Sequence, residues 1–212
     1  MLLVYFNQVI NTYIETPMTP TFCFAPPPII FTERLILHKM EDHDAEALFR
    51  LRSDPAVMQY IPRPLATSVD DAHALIDHFS KCIASNSAIT WGIFSKPDET
   101  LIGTIGFVHV QPHHFRAEVG YLLATNYQRK GIMSEALKAV LHYGFSVWHF
   151  HTIEAVVSPE NKPSLHLLEK SGFRQEAYFR ENQFYHGRFH DSIVLTHFGQ
   201  GLNFRPKHHA DR

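Results

Sequence analysis

The chain reads as a mixed α/β domain built on a single sheet. Two observations predict it. Strand-like runs and helix-like stripes succeed each other in the order β-α-α-β-β-β-α-β-α-β-β. Between about residues 31 and 198 no proline-rich or low-complexity break interrupts that succession, and no internal repeat is present. Residues 1–30 differ: they hold Pro17, Pro20, Pro26, Pro27 and Pro28, with one acidic residue and no basic one. Proline runs continue neither a helix nor a central ladder, so this segment is expected to be an arm, ordered only where it packs on something. The expected organisation is an arm over 1–30, a domain over 31–198 and a tail over 199–212.

Taken in order, Glu33 to Lys39 alternates through Arg34, Leu35, Ile36 and Leu37 as a short strand. Asp42 to Arg52 sets Ala45, Leu48 and Phe49 on one helical face, and Pro55 stops it. Ser68-x-x-Asp71 is a capping pattern that opens a second helix through Ala72, Leu75, Ile76, Phe79 and Ile83. Ile89 to Phe94 and Leu101 to Val110 follow as strands, with Lys96-Pro97-Asp98-Glu99 as their turn, and Ala117 to Leu123 is a fourth strand. The clearest helix comes next. Met133, Ala136, Leu137, Val140, Leu141, Gly144, Phe145 and Trp148 form its wide apolar stripe, opposite Glu135, Lys138 and His142. Thr152 to Val157 is β-branched and fits a buried strand. Pro163 starts a short helix that Gly172 ends, and Phe173–Phe184 and Phe189–His197 close the sheet around His186-Gly187-Arg188.

Composition narrows the function. With 19 basic and 21 acidic residues the formal net charge is −2, so no broad electrostatic footprint for nucleic acid or an acidic membrane exists. No apolar run approaches the roughly 20 residues of a membrane span. The opening Met1-Leu2-Leu3-Val4-Tyr5-Phe6 lacks a basic n-region and is interrupted by Asn7, Gln8 and Asn11, so no secretory signal is expected. The two cysteines, Cys23 and Cys82, have no paired spacing, which excludes a disulfide scaffold and a cysteine-built zinc site. A cytoplasmic setting is the expectation.

The most informative junction joins the fourth strand to the long helix through Gln128-Arg129-Lys130-Gly131-Ile132-Met133-Ser134. A glycine at a strand-to-helix turn lets backbone N–H groups approach an anion, and the helix N-terminus, Arg129 and Lys130 add positive charge. A pyrophosphate suits such a turn; a tight turn with solvated basic residues is the competing reading. No Gly-Lys-Ser/Thr follows, so this is not a Walker loop, and Gly103 and Gly106 lie inside a strand and open no helix.

At these residues the chain resembles the GNAT superfamily of acyl-CoA-dependent N-acyltransferases, in its RimJ/RimL-like branch. The family's phosphate loop reads Gln/Arg-x-x-Gly-x-Gly/Ala; Gln128 and Gly131 match, while Met133 replaces the final small residue. Thr32-Glu33-Arg34-Leu35, Gly120-Tyr121, Ser134-Glu135-Ala136-Leu137, Asn161-x-x-Ser164 and Glu169-Lys170-Ser171-Gly172-Phe173 complete the resemblance over about residues 31–198. It implies a GNAT fold: a mixed, mostly antiparallel sheet of seven strands, splayed between the fourth and fifth and flanked by about four helices. Acetyl-CoA would lie in the gap, its phosphates on amides from Arg129 to Ser134 (Arg129, Lys130, Gly131, Ile132, Met133, Ser134). Its pantetheine arm would pair with backbone of Tyr121, Leu122 and Leu123, steadied by Asn161.

The resemblance implies direct attack of a neutral amine on the thioester, which asks for a base and for a donor to the leaving thiolate. Leu168 stands where many family members carry a donor Tyr, and Ser164 is the RimL-like substitute; an ordinary first-turn serine is its alternative. Glu118 is the candidate base in the fourth strand, where alternation puts it with Gly120 on one face, opposite Val119 and Tyr121. It lies either at the cleft or in solvent. Tyr178, Glu181 and Tyr185 are weaker candidates. Of the sixteen histidines, His113 and His114 are placed to line an acceptor site. The groupings His113-His114, His149/His151, His186/His190 and His208-His209 lie on turns, tails and different faces, so no metal is expected. Trp91 and Trp148 fit core stripes. The resulting expectation is an acetyl-CoA-dependent N-acetyltransferase acting on a protein or peptide N-terminus. A small amine such as a polyamine or antibiotic, and a non-catalytic acyl-CoA-binding module, are the alternatives, and a homodimer is left open as the assembly.

Overall fold

Alternation along the strands sends Leu35, Leu37, Trp91, Ile105, Phe107 and Val119 to one side of a twisted sheet, and Ile36 and Leu122 to the other. The computed structural model describes residues 22–96, 98–185 and 187–199. Its strands are β1 (Ile30–Phe31), β2 (Leu35–His38), β3 (Ile89–Ser95), β4 (Thr100–Gln111), β5 (Arg116–Leu123), β6 (Thr152–Val157), β7 (Arg174–Tyr185) and β8 (Arg188–Phe198). They form one sheet in the order β1-β2-β3-β4-β5-β6-β8-β7. Every pairing is antiparallel except β5 with β6.

That parallel pairing is short. It runs only from Arg116↔Thr152 to Glu118↔Glu154, after which the two strands separate. The helix between them, α4 (Ile132–Ser146), packs Met133, Ala136, Leu137, Val140 and Leu141 into the main core. A Cβ at Gly144 would meet the Phe107 ring at 2.8 Å, so glycine allows this helix its close approach to the sheet. Beside it lies α5 (Lys162–Lys170), anchored by the fully buried Leu168. On the opposite face α1 (Ala45–Ser53), α2 (Pro55–Met58) and the first part of α3 (Val69–Ala84) close a second cluster over Phe94, Leu101 and Leu122. Ser68 caps α3 as expected, accepting from the Asp71 N–H.

Among the described residues two counts differ from expectation. The sheet has eight strands rather than seven, because Ile30 and Phe31 pair with Leu37 and Ile36. Five α-helices form rather than four: Pro55 ends α1 and also occupies the first turn of α2, where Asp54 caps the Ala56 N–H at 2.8 Å. The end of the proline-rich segment is packed. Phe24 is fully buried, edge-on to Trp148 at 4.8 Å, and Asn86 bonds both the Phe22 carbonyl and the Phe24 N–H. Trp91 and Trp148 are core residues, and the Trp91 indole N–H donates to the Pro28 carbonyl at 2.8 Å. The remainder of the expected arm, His186 and the tail from residue 200 lie outside the described residues.

Candidate active site

The separation of β5 from β6 leaves backbone groups without a strand partner. Antiparallel pairing aims alternate residues of β5 toward β4. The Ala124 N–H donates to Ile102, which fixes the even-numbered residues on that side and turns Val119, Tyr121 and Leu123 toward the gap. Tyr121 and Leu123 thus offer backbone for an added strand. Leu122 does not: its backbone faces β4 and its side chain is buried in the second cluster. Gln128 donates its side-chain amide to the Leu123 carbonyl at 3.0 Å, tying the following turn to the end of the strand.

That turn is shaped for an anion. Arg129 and Gly131 both adopt left-handed backbone, φ +59° and +75°, and a Cβ on Gly131 would meet only Arg34, at 3.5 Å. No side chain caps α4, and its first internal bond runs from the Glu135 N–H to the Gly131 carbonyl. The N–H groups of Ile132, Met133 and Ser134 therefore lack intrahelical acceptors at the positive end of the helix dipole. Met133, the departure from the family's small residue, sends its side chain into the core, so the backbone is what faces the turn. Arg129 and Lys130 are exposed beside it. These features fit the pyrophosphate of acetyl-CoA.

A network unforeseen in the sequence braces the turn. Arg34 Nε lies 2.7 Å from Glu135 Oε2, and another Arg34 guanidinium N–H donates to the Lys130 carbonyl at 2.9 Å. Glu135 also accepts from the Thr32 hydroxyl and the Arg34 backbone N–H. Burial pushes the Glu135 carboxyl up, but the bonds from Thr32 and Arg34 outweigh it and hold the group below its ordinary value. Its charge is thereby matched rather than turned on an incoming phosphate.

Past the last β5–β6 pair, a hydrogen bond crosses the gap. Tyr121 Oη and Ser164 Oγ are 2.7 Å apart. Ser164 sits in the first turn of α5, where Asn161 caps the helix by accepting the Ser164 N–H at 3.2 Å. The Asn161 amide donors have no partner among the described residues. Burial pushes the Tyr121 phenol up to about 12, against a smaller opposing effect of the Ser164 bond, so it stays protonated.

On the other face of the sheet lies a cavity of about 450 Å³, lined by residues of β4, β5, β6, β7 and β8. Glu118 is in it, at the vertex where β5 and β6 part. The ring Nδ1–H of His109 donates to Glu118 Oε2 at 2.9 Å. His109 has left-handed backbone, φ +47°, in the irregular stretch between the Val108↔Glu118 and Gln111↔Arg116 pairs. Glu154 and Glu176 add carboxylates, Arg116 pairs with Glu154 at 2.9 Å, and Val156, Ala177, Phe179 and Val194 give an apolar portion. Sequence reading found Glu118 but not His109, Glu154 or Glu176, which only strand pairing brings together.

Other candidates lie elsewhere. The Tyr178 hydroxyl donates to Asp191, which raises the phenol, and the Glu181 N–H donates to Asp191 at 2.8 Å. Tyr185 stacks on His190 with ring centroids 3.7 Å apart. None of the three lines the cavity, and neither His113 nor His114 does; both are exposed on the turn after β4. Among the described residues no group of three or more His, Cys, Asp or Glu could hold a metal, and no helix is long and apolar enough to cross a membrane.

The acetyltransferase (GNAT) domain family matches residues 34–174. The N-acetyltransferase YoaA of Bacillus subtilis, itself uncharacterised, is 37% identical over 169 residues, 80% of this chain and 96% of YoaA. The ribosomal protein uS5-alanine N-acetyltransferase of Escherichia coli is 30% identical over 176 residues, 78% of this chain and 88% of that protein. A crystal structure of a GNAT-family acetyltransferase from Bacillus anthracis superposes with a TM-score of 0.73 at 30% identity, covering 81% of this chain and 99% of its own. By the family match over residues 34–174 and by these relatives, the chain belongs to the GNAT family as a RimJ-like N-acetyltransferase.

Proposed function

We propose that the enzyme transfers the acetyl group of acetyl-CoA to the α-amine of a protein or peptide N-terminus. The observation that carries this reading is the opening of the sheet directly beyond Glu118, with a cavity on one face and the Tyr121–Ser164 bond in the gap. Acetyl-CoA supplies an activated acyl thioester. The amides from Gly131 to Ser134, with Arg129 and Lys130, hold its phosphates; the backbone of Tyr121 and Leu123 and the amide of Asn161 orient its arm. Glu118 accepts the acceptor's proton, directly or through water, and Ser164 donates a hydrogen bond to the departing sulfur.

An N-terminus suits the cavity better than a polyamine. Glu154 is already neutralised by Arg116, and the apolar patch of Val156, Ala177, Phe179 and Val194 suits a side chain next to the amine. The ancestry shared with an alanine N-acetyltransferase points the same way. A direct test monitors thiol release with acetyl-CoA and a panel of peptides beginning with Ala, Ser or Met, with spermidine alongside, and locates the acetyl group by fragmentation mass spectrometry. The expected product is an α-N-acetyl peptide. Turnover of spermidine with the peptides untouched would replace this acceptor class.

A further inference from the structure

We propose that Tyr121 is a positioning residue that sets the direction of the Ser164 hydroxyl and so aims its proton at the leaving sulfur. The proposal rests on the reading of Ser164 as the donor to that sulfur. Two hydroxyls 2.7 Å apart can share a hydrogen bond in either sense. Their surroundings decide between them. Tyr121 is largely buried, packed on the main core, and its hydroxyl has no other partner among the described residues. If Ser164 donated, the phenolic proton would be left unpaired where burial already desolvates the phenol, which is the costly arrangement. Ser164 is half-buried in the first turn of α5, where its proton has the opening to point into. The phenol therefore donates to Ser164 Oγ, and the Ser164 O–H points into the opening between β5 and β6.

The anchoring is rigid on both sides. Tyr121 belongs to the stretch of β5 paired without interruption with β4, from Glu118 to Leu123, and the Ser164 backbone is fixed by the Asn161 cap. A hydrogen bond received at Oγ also polarises the Ser164 O–H and strengthens its own donation. In the chemical step the C–N bond forms as the C–S bond breaks, the electron pair moves to sulfur, and the amine proton leaves on the Glu118 side. The Ser164 proton stays on its oxygen. A thiol titrates near about 8.5, far below an alcohol, so the thiolate is stabilised rather than protonated. With the phenol near 12, no proton moves along the pair. The role left open by Leu168, the apolar residue buried in α5, thus falls to Ser164 on the same helix, with a hydroxyl from β5 setting its direction.

The test needs no acceptor. Coenzyme A itself is bound to the wild-type enzyme, Tyr121→Phe, Ser164→Ala and the double variant, and its thiol is titrated by thiolate ultraviolet absorbance. The expected wild-type midpoint lies below the about 8.5 of a free thiol; Ser164→Ala should raise it by about one pH unit and Tyr121→Phe by about half of that. The double variant should go no higher than Ser164→Ala, and Ser164→Thr should keep the wild-type midpoint. Thermal melts establish that each variant is folded, and coenzyme A affinity at low pH should change little. An unchanged midpoint in Tyr121→Phe, or an equal further rise on adding it to Ser164→Ala, overturns the positioning role alone. An unchanged midpoint in Ser164→Ala overturns the reading of Ser164 and the positioning role with it.

Discussion

The two faces of the opening beside β5 are built by different means. The face proposed to hold the cofactor consists of backbone: Gly131 and the first turn of α4, with Arg34, Thr32 and Glu135 locking them from behind. The cavity face consists of side chains contributed by four strands, Glu118 and Glu154 half-buried and His109 and Glu176 exposed. Backbone geometry tolerates changes of residue, as Met133 illustrates by burying its side chain while leaving its N–H in place. Side-chain geometry does not, and it is where one acetyltransferase can differ from another in what it acetylates.

The largest effect should come from the cavity face. Glu118→Gln keeps the shape and removes the proposed base, so turnover of an accepted peptide should fall by about 10²–10⁴-fold with coenzyme A affinity unchanged. Unaltered turnover in the folded variant would move proton removal to another group.

Gly131→Asp addresses the other face. It forces a side chain into left-handed backbone and sets a negative charge where phosphates are to lie, so coenzyme A affinity should drop by about a hundredfold, by calorimetry on a folded variant. If binding survived and only turnover fell, the division between the two faces would be wrong.

Arg34→Gln should act least, loosening the turn and costing about tenfold in coenzyme A affinity. It also has a pH signature. Glu135 is held below its ordinary carboxyl value in the folded chain, so its contribution to stability is present above the unfolded value of about 4.3 and is lost as pH falls through the lower, folded value. Melting temperatures measured from about pH 5 downward should therefore fall less steeply in Arg34→Gln than in the wild type.

The legibility of the chain in sequence follows the same division. The stripe from Met133 to Trp148, the Ser68 cap and the glycine turn are local patterns, each written in a few consecutive residues. The strand holding Glu118 and the helix holding Ser164 are local patterns too, while the roles given to these two residues come from family resemblance. What could not be read was long-range: Arg34 meets Glu135 across 101 positions, and Tyr121 meets Ser164 across 43. The Tyr121 backbone was foreseen next to the cofactor, but its hydroxyl was not, since nothing near Tyr121 in sequence announces a partner in α5. His109 depends on a local irregularity of β4 that composition does not signal. The added two-residue strand, Ile30–Phe31, is too short to show a period.

The family match begins at residue 34, yet the chain is already part of the core at Phe22. Anyone trimming this enzyme to its recognisable catalytic portion would uncover the sides of Trp148 and Phe150 that meet Phe24 and Phe22 and leave the Trp91 indole without its carbonyl. The limits within which the protein is recognised and those within which it holds together are different, and shortened versions, fusions and tags belong outside the second.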